Sequence, residues 1–288
     1  MVKYFNPLIQ ISNHYNIYMF DTWRLLLTAP ARGAWNMAVD ETILEHIGRQ
    51  ESLPTLRLYA WEPACLSLGY AQPYADVDEA RIKDRGWEVV RRPTGGRAIL
   101  HTDELTYSVT APADEPRLVG SILESYNRLA GALLQAVQSL GLSVEMKAGG
   151  GDHNSPNPVC FEVPSTYEIT VQGKKLIGSA QARRKEGVLQ HGSLPLKGNL
   201  ARITDALIFV DETSRQEAGH RLLERATTVE SVLGKPVPWR EAAQAFIIAF
   251  ENKLSLHLEE GVLSESEQTR AQELVHEKYD HPAWMKRI

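Results

Sequence analysis

Arg91-Arg92-Pro93-Thr94-Gly95-Gly96-Arg97-Ala98-Ile99-Leu100-His101 is the run that decides the reading of this chain. Two adjacent glycines let a backbone bend sharply and approach a ligand with no Cβ in the way. The three arginines supply fixed charge and planar donors, which suit carboxylate, phosphate or carbonyl oxygen. Upstream, Trp87-Glu88-Val89-Val90 has strand composition, and downstream Leu105-Thr106-Tyr107-Ser108-Val109-Thr110 alternates with period two. The spacing predicts a strand-loop-strand element around a cationic bend. An ordinary solvated hairpin needs no such charge beside its glycines. The run is not a common phosphate loop: it lacks G-x-x-x-x-G-K-[ST], and no G-x-G-x-x-G opens a helix.

Outward from this run, the apolar spacing of Ala34 to Ile47 predicts a helix, with strands at Thr55–Tyr59 and Cys65–Gly69. A helix is expected from Val77 to Arg85, closed by Gly86 at C′. Leu123, Tyr126, Leu129, Leu133, Val137 and Leu140 form a stripe along a long helix from Val119, stopped by Gly141. Gly149 to Pro158 is a loop by composition. Strands follow at Thr166–Val171, Lys175–Arg183 and Val188–Pro195, the first two joined by a hairpin turn at Gln172-Gly173-Lys174. After Pro195 the patterns are helical: Leu200–Phe209, Arg215–Arg225, Thr228–Leu233, Trp239–Leu256 and Ser264–Tyr279. The expected class is α+β, a mostly antiparallel sheet with packed helices. Residues 1–18 read as an N-terminal extension before a native start at Met19, or as weakly ordered chain. Residues 19–256 read as the main domain, and 257–288 as a helical C-terminal tail packed on it.

Bulk properties narrow the function classes. The 288 residues suffice for a sizeable core. A net charge of −5 speaks against bulk nucleic-acid binding, which favours basic surfaces. No apolar run reaches the length of a membrane span, and the composition of Met1 to Met19 leads us to expect no secretory signal. Two cysteines make no disulfide framework, so a reducing, cytoplasmic setting is expected.

Two cysteines, a lysine pair and two histidines could carry chemistry. Cys160 lies in Pro158-Val159-Cys160-Phe161-Glu162-Val163-Pro164-Ser165, at a loop edge between prolines. It is either a small buried hydrophobe or an accessible thiol. Cys65 sits in an alternating strand and reads as core. Lys174 and Lys175 fall on opposite strand faces, so one can point inward and the other to solvent. His191 and His101 could take protons or serve structure. No His-x-x-x-His, Cys-x-x-Cys or acidic cluster has ligand spacing, so no metal is expected.

The motifs as a set resemble the lipoate/biotin protein ligase superfamily, and within it the octanoyltransferases of the LipM type. Arg91 to Arg97, Leu100-His101 and Glu104 to Val109 follow that signature, and the resemblance extends over roughly Asp21 to Glu273. It implies a class II synthetase-like catalytic domain. It implies that Cys160, in Cys-Phe-Glu-Val-Pro-Ser, is the nucleophile. It makes Lys175, before Leu176-Ile177-Gly178-Ser179-Ala180-Gln181, the site lysine. Arg91, Arg92, Gly95, Gly96, Arg97, His101, Ser179 and His191 are the expected substrate-binding residues. The implied donor is octanoyl acyl-carrier protein and the implied acceptor a lipoyl domain, first the glycine cleavage H protein. No ATP, metal or other cofactor is expected. Both partners are acidic as families. The basic residues Arg91, Arg92, Arg97, Lys174, Lys175, Arg183, Arg184 and Lys185 could form a face for them, or be scattered solvated charge. The alternatives are an ATP-dependent lipoate-protein ligase, an amidotransferase moving octanoate from H protein to lipoyl domains, and a non-catalytic lipoyl-domain scaffold.

Overall fold

The computed structural model describes residues 22–148 and 167–288. The chain enters through β1 (Thr22–Leu27), α1 (Gly33–Gly48), β2 (Thr55–Tyr59) and β3 (Cys65–Leu68). A short helix α2 (Glu79–Asp84) leads to β4 (Glu88–Arg91), β5 (Ile99–His101) and β6 (Glu104–Ala111). Helix α3 (Ile122–Ser139) is followed by β7 (Glu145–Ala148), β8 (Tyr167–Val171), β9 (Lys174–Arg184) and β10 (Gly187–Pro195). The remainder holds 3-10 turns at Leu200–Ala206, α4 (Glu212–Arg225), α5 (Val229–Leu233), α6 (Trp239–Leu254), β11 (His257–Glu260), α7 (Glu265–Leu274) and α8 (Pro282–Met285).

β6 explains the layering. Its sequence alternates, yet all eight residues are buried. The apolar set, Leu105, Tyr107, Val109 and Ala111, joins the core built with α3 and α6. The polar set is covered on the opposite face, where Ser108 meets Asp40 of α1. Alternation here separates an apolar interior from a polar interior, not core from water. The polar interior becomes the site.

The main sheet has eight strands in the order β11-β1-β2-β6-β10-β9-β8-β7. β1 runs parallel to β11 and β2, and the other neighbours pair antiparallel. Trp23 and Leu25 of β1 face the α3–α6 core, while Leu26 joins Met37, Ile43 and Leu274 on the other face. The β8–β9 hairpin turns at Gln172 (φ 51°) and Gly173 (φ 77°). Positive φ at both central residues is the type I′ geometry that matches strand twist. α3 starts on a capping box between Ser121 and Glu124.

Three features were not legible in the pattern. A second sheet, β4-β3-β5, takes the strand before the arginine-glycine run away from the strand after it. The predicted strand-loop-strand is thus a link between two sheets, with β5 inside the link. Second, residues 257–288 are helical except at their start, where β11 pairs parallel with β1. The periodic pattern of α6 runs into it, but Ser255 takes a positive φ of 52° and ends the helix. Third, Leu200–Phe209 forms only 3-10 turns. Residues 1–18, the Gly149–Pro158 loop and Cys160 lie outside the described residues. Among the described residues no helix is long and apolar enough to cross a membrane.

Candidate active site

The arginine-glycine run begins at the last residue of β4 and ends in β5, both strands pairing with β3. Arg91 is fully buried, and its guanidinium donates to the carbonyls of Gly69 (2.9 Å), Gln72 (2.6 Å) and Met285 (2.8 Å). It does not line the cavity below; it ties the loop base to α8. Expected as a substrate ligand, Arg91 is a brace, because buried donors must find acceptors and four carbonyls surround it. Arg92 clamps the loop from inside, donating to Ser67 O (2.8 Å), Gly95 O (2.8 Å) and Arg97 O (2.8 Å). Gly96 takes φ +92°, and a Cβ added at Gly69 would sit 1.8 Å from the Gly96 carbonyl oxygen. The bend thus needs glycine at Gly96 for its angle and at Gly69 for clearance. Gly95 is exposed.

Beneath the loop lies a cavity of about 330 Å³, in the range usual for small-ligand sites. Met37, Tyr59, Trp61 and Ile99 give it an apolar wall. Arg92, Gly96, Arg97, His101, Lys175 and His191 give it polar groups. With Ser179, seven of the expected residues are therefore brought together around one space. Lys175 is buried while Lys174 is only partly so and donates to Leu223 O (2.7 Å). Strand alternation sends one lysine inward, and that one is Lys175.

Ser179 also borders the cavity, but its hydroxyl bonds the Tyr107 hydroxyl at 2.7 Å. Ser179, Gly192 and Tyr107 are cross-strand partners on the face toward α3. His191 pairs with Ala180 and Ser108 on the opposite, cavity-facing side. The Ser179 hydroxyl thus serves a network with Gln190 and Tyr107, whose phenol burial pushes up to about 12.

Asp40 of α1 is the polar anchor that sequence reading missed. It is fully buried and accepts from Arg57 (2.8 Å), Tyr59 (3.0 Å) and Ser108 (2.9 Å). Burial alone would raise its carboxyl, but Arg57 and the facing His191 outweigh that and hold it below the usual carboxylate range. His191 Nδ1 lies 3.5 Å from Asp40, and its Nε2 meets the Thr94 hydroxyl at 2.6 Å. His191 therefore pins Thr94, and with it the loop, to the sheet. The available signal was a carboxylate one turn after Asn36 on a largely apolar helix.

Burial lowers the His191 imidazole below its ordinary value, so the folded state favours the neutral ring. The stability this gives is complete above the unfolded value of about 6.5 and declines as pH falls below it, because only the unfolded chain readily takes the proton. Thermal melts from pH 7.5 to 5 should show that loss, and His191→Gln should remove that part of the slope. An unchanged slope in the variant would refute the assignment.

A second network holds His101. Its Nδ1 meets Glu104 Oε1 at 2.6 Å, and Trp61 stacks on its ring with centroids 3.9 Å apart and planes 6° from parallel. The same carboxylate oxygen accepts from Thr106 (2.5 Å) and Ser193 (2.9 Å). Trp61 Nε1 in turn donates to Thr106 at 2.8 Å. Glu104 and Trp61 were not singled out from the sequence, since their role depends on His101, at the end of β5, meeting Trp61, which lies forty residues earlier.

Cys65 is fully buried, and burial pushes its thiol well above the ordinary range, as a core residue requires. The basic residues diverge in use. Arg183 donates to Leu118 O (2.7 Å) and Ser125 (2.9 Å), Arg184 donates to Pro93 O (3.3 Å), and Lys185 is exposed. Among the described residues no group of three His, Cys, Asp or Glu could hold a metal ion.

Residues 32–251 match the family model described as the lipoyl protein ligase A/B catalytic domain. The octanoyltransferase LipM of Moorella thermoacetica is 42% identical over 270 residues, covering 93% of this chain and 98% of that protein. The LipM of Brevibacillus brevis is 38% identical, covering 92% and 98%. Among solved structures, a bipartite lipoate protein ligase studied with its E2 lipoyl domain, from Thermoplasma acidophilum, superposes with a TM-score of 0.76 at 26% identity. That match covers 92% of this chain and 96% of the ligase chain. Over nearly its whole length, then, the chain belongs to the lipoyl protein ligase A/B catalytic-domain family, and within that family to the acyltransferases of the LipM type.

Proposed function

We propose that this enzyme moves an octanoyl group from acyl-carrier protein to a lysine of a lipoyl domain in lipoate biosynthesis, through a thioester on Cys160. The glycine cleavage H protein is the proposed first acceptor. The observation that carries the reading is the cavity that sets an apolar wall beside Lys175 and the clamped loop. Such a space suits an acyl chain with its carbonyl at a polar end. Cys160 enters on its sequence segment alone. Its thiolate attacks the carrier thioester, a C–S bond forms, and the carrier thiol leaves. The acceptor amine then attacks the new thioester, forms the amide and releases Cys160. The donor is already activated, so no ATP is needed.

The ligase reading draws on solved relatives that are lipoate protein ligases. The transferase reading draws on curated relatives of higher identity, named octanoyltransferases. Intact-mass measurement separates the two. Mixing with octanoyl acyl-carrier protein, without ATP, should add one octanoyl group to the enzyme. The adduct should be labile to hydroxylamine and map to Cys160. No adduct, with acceptor labelling only when ATP and free octanoate or lipoate are supplied, would move the assignment to the ligase.

A further inference from the structure

Two walls of the cavity come from chain far apart in sequence, and the C-terminal segment touches the elements behind both. Met37 belongs to α1, while Ala71 and Gln72 belong to the turn after β3. That turn also carries the arginine-glycine run. The Tyr70 amide donates to Thr94 O (2.9 Å), and Gly69 packs on the Gly96 carbonyl.

On the α1 side, Lys278 donates to the Glu41 carboxylate (2.6 Å). The hydroxyl of the fully buried Tyr279 donates to the same carboxylate. On the loop side, Trp284 Nε1 donates to Arg91 O (2.9 Å), and Met285 O accepts from the Arg91 guanidinium (2.8 Å). That guanidinium also reaches the carbonyls of Gly69, Tyr70 and Gln72, so tail and turn share one buried cation. The Tyr74 amide donates to Ile288 O (2.7 Å). Between these anchors the Trp284 ring meets Tyr279 and Tyr70 edge-on, with centroids 6.1 and 5.8 Å apart. One indole thus links the helix that carries Met37 to the loop that carries Ala71, Gln72 and Arg92. Packing for bulk stability asks for apolar burial. Trp284 is instead half-buried and directs its N–H to the first residue of the loop.

We propose that Trp284 is a positioning residue for the cavity, holding the Gly69–Gln72 turn and the arginine-glycine run at a fixed distance from α1. The proposal deepens the acyl-transfer reading, and its kinetic test rests on that reading. Trp284 does not line the cavity. It acts through the turn and through Arg91, and the width of the acyl slot depends on it.

Trp284→Phe keeps a ring beside Tyr279 and Tyr70 and removes the N–H donor. Two measurements test it. The first is hydrogen exchange at the Tyr70 amide, followed by NMR. Its own bond, to Thr94 O, involves no tail residue. If opening of the turn must break the indole bond, exchange there should quicken about three- to tenfold, the weight of one hydrogen bond. A tail that only stabilises the fold would lower the melting temperature and leave this local opening unchanged. The second is steady-state transfer from octanoyl acyl-carrier protein to a lipoyl domain. KM for the donor should rise about three- to tenfold with kcat held within about twofold, because a displaced wall weakens ground state and transition state alike. An unmoved Tyr70 amide or an unmoved donor KM would each overturn the proposal, whatever the melting temperature does. Failure of the unmodified chain to transfer any octanoyl group would instead overturn the acyl-transfer reading. The exchange rate would then decide by itself whether Trp284 holds the turn.

Discussion

Lys175→Met should slow formation of the octanoyl-enzyme by about 10²–10⁴-fold if the proposed thioester route holds, since on that route the ammonium would both activate the nucleophile and donate to the developing oxyanion. Methionine keeps the unbranched stem, so the packing of β9 should survive. The backbone contact from Thr227 N to Lys175 O (3.0 Å) is indifferent to the side chain. If the ammonium activates Cys160, the variant should also show it in alkylation. The thiol pKa, read from the pH dependence of iodoacetamide labelling, should rise toward the free-cysteine value of about 8.5. A variant that loses activity with an unchanged alkylation profile would confine Lys175 to the carbonyl. One that keeps full activity would remove it from the chemistry. Cys65 should stay unlabelled in the folded protein throughout, since it is fully buried.

The other large effect concerns stability. Asp40→Ala should destabilise the fold by about 3–5 kcal/mol, the usual result of stripping one partner from a buried ion pair. At about 2–4 °C per kcal/mol, the expected fall in Tm is roughly 6–20 °C. The reason is what remains behind. Arg57 is fully buried and would keep its charge, with only Asn36 and Thr28 as hydrogen-bond partners among the described residues. Tyr59 and Ser108 would each lose an acceptor. Asp40→Asn keeps the shape and one acceptor oxygen, so its loss should be smaller. Differential scanning calorimetry of the three proteins gives the ranking, and equal melting temperatures for Asp40→Ala and the unmodified chain would refute the anchor role.

How much of this was legible beforehand depended on the distance over which each signal acts. The long stripe of α3, the hairpin at Gln172-Gly173 and the inward lysine follow from local periodicity and turn chemistry, and they are where the pattern put them. The small sheet was not readable, because β5 is three residues long and gains its identity only by pairing with β3. Arg91 braces the loop rather than lining the cavity for a related reason. Charge beside glycine marks a ligand site only if no backbone carbonyl claims the charge first, and those carbonyls come from Gly69 and Met285, far away in sequence. Asp40 and Glu104 were passed over because each matters through what it holds, not through what it is.

The contact between Gly69 and the Gly96 carbonyl has a consequence for how this chain tolerates change. In a library carrying every single substitution, Gly69 should be as depleted under selection for lipoylation as any residue that meets substrate. It bears no functional group, so its intolerance would be invisible to a search for chemistry. An alanine there would push the backbone of Gly96, on which the Arg92 clamp closes. Positions that permit a shape are thereby constrained as tightly as positions that perform a reaction.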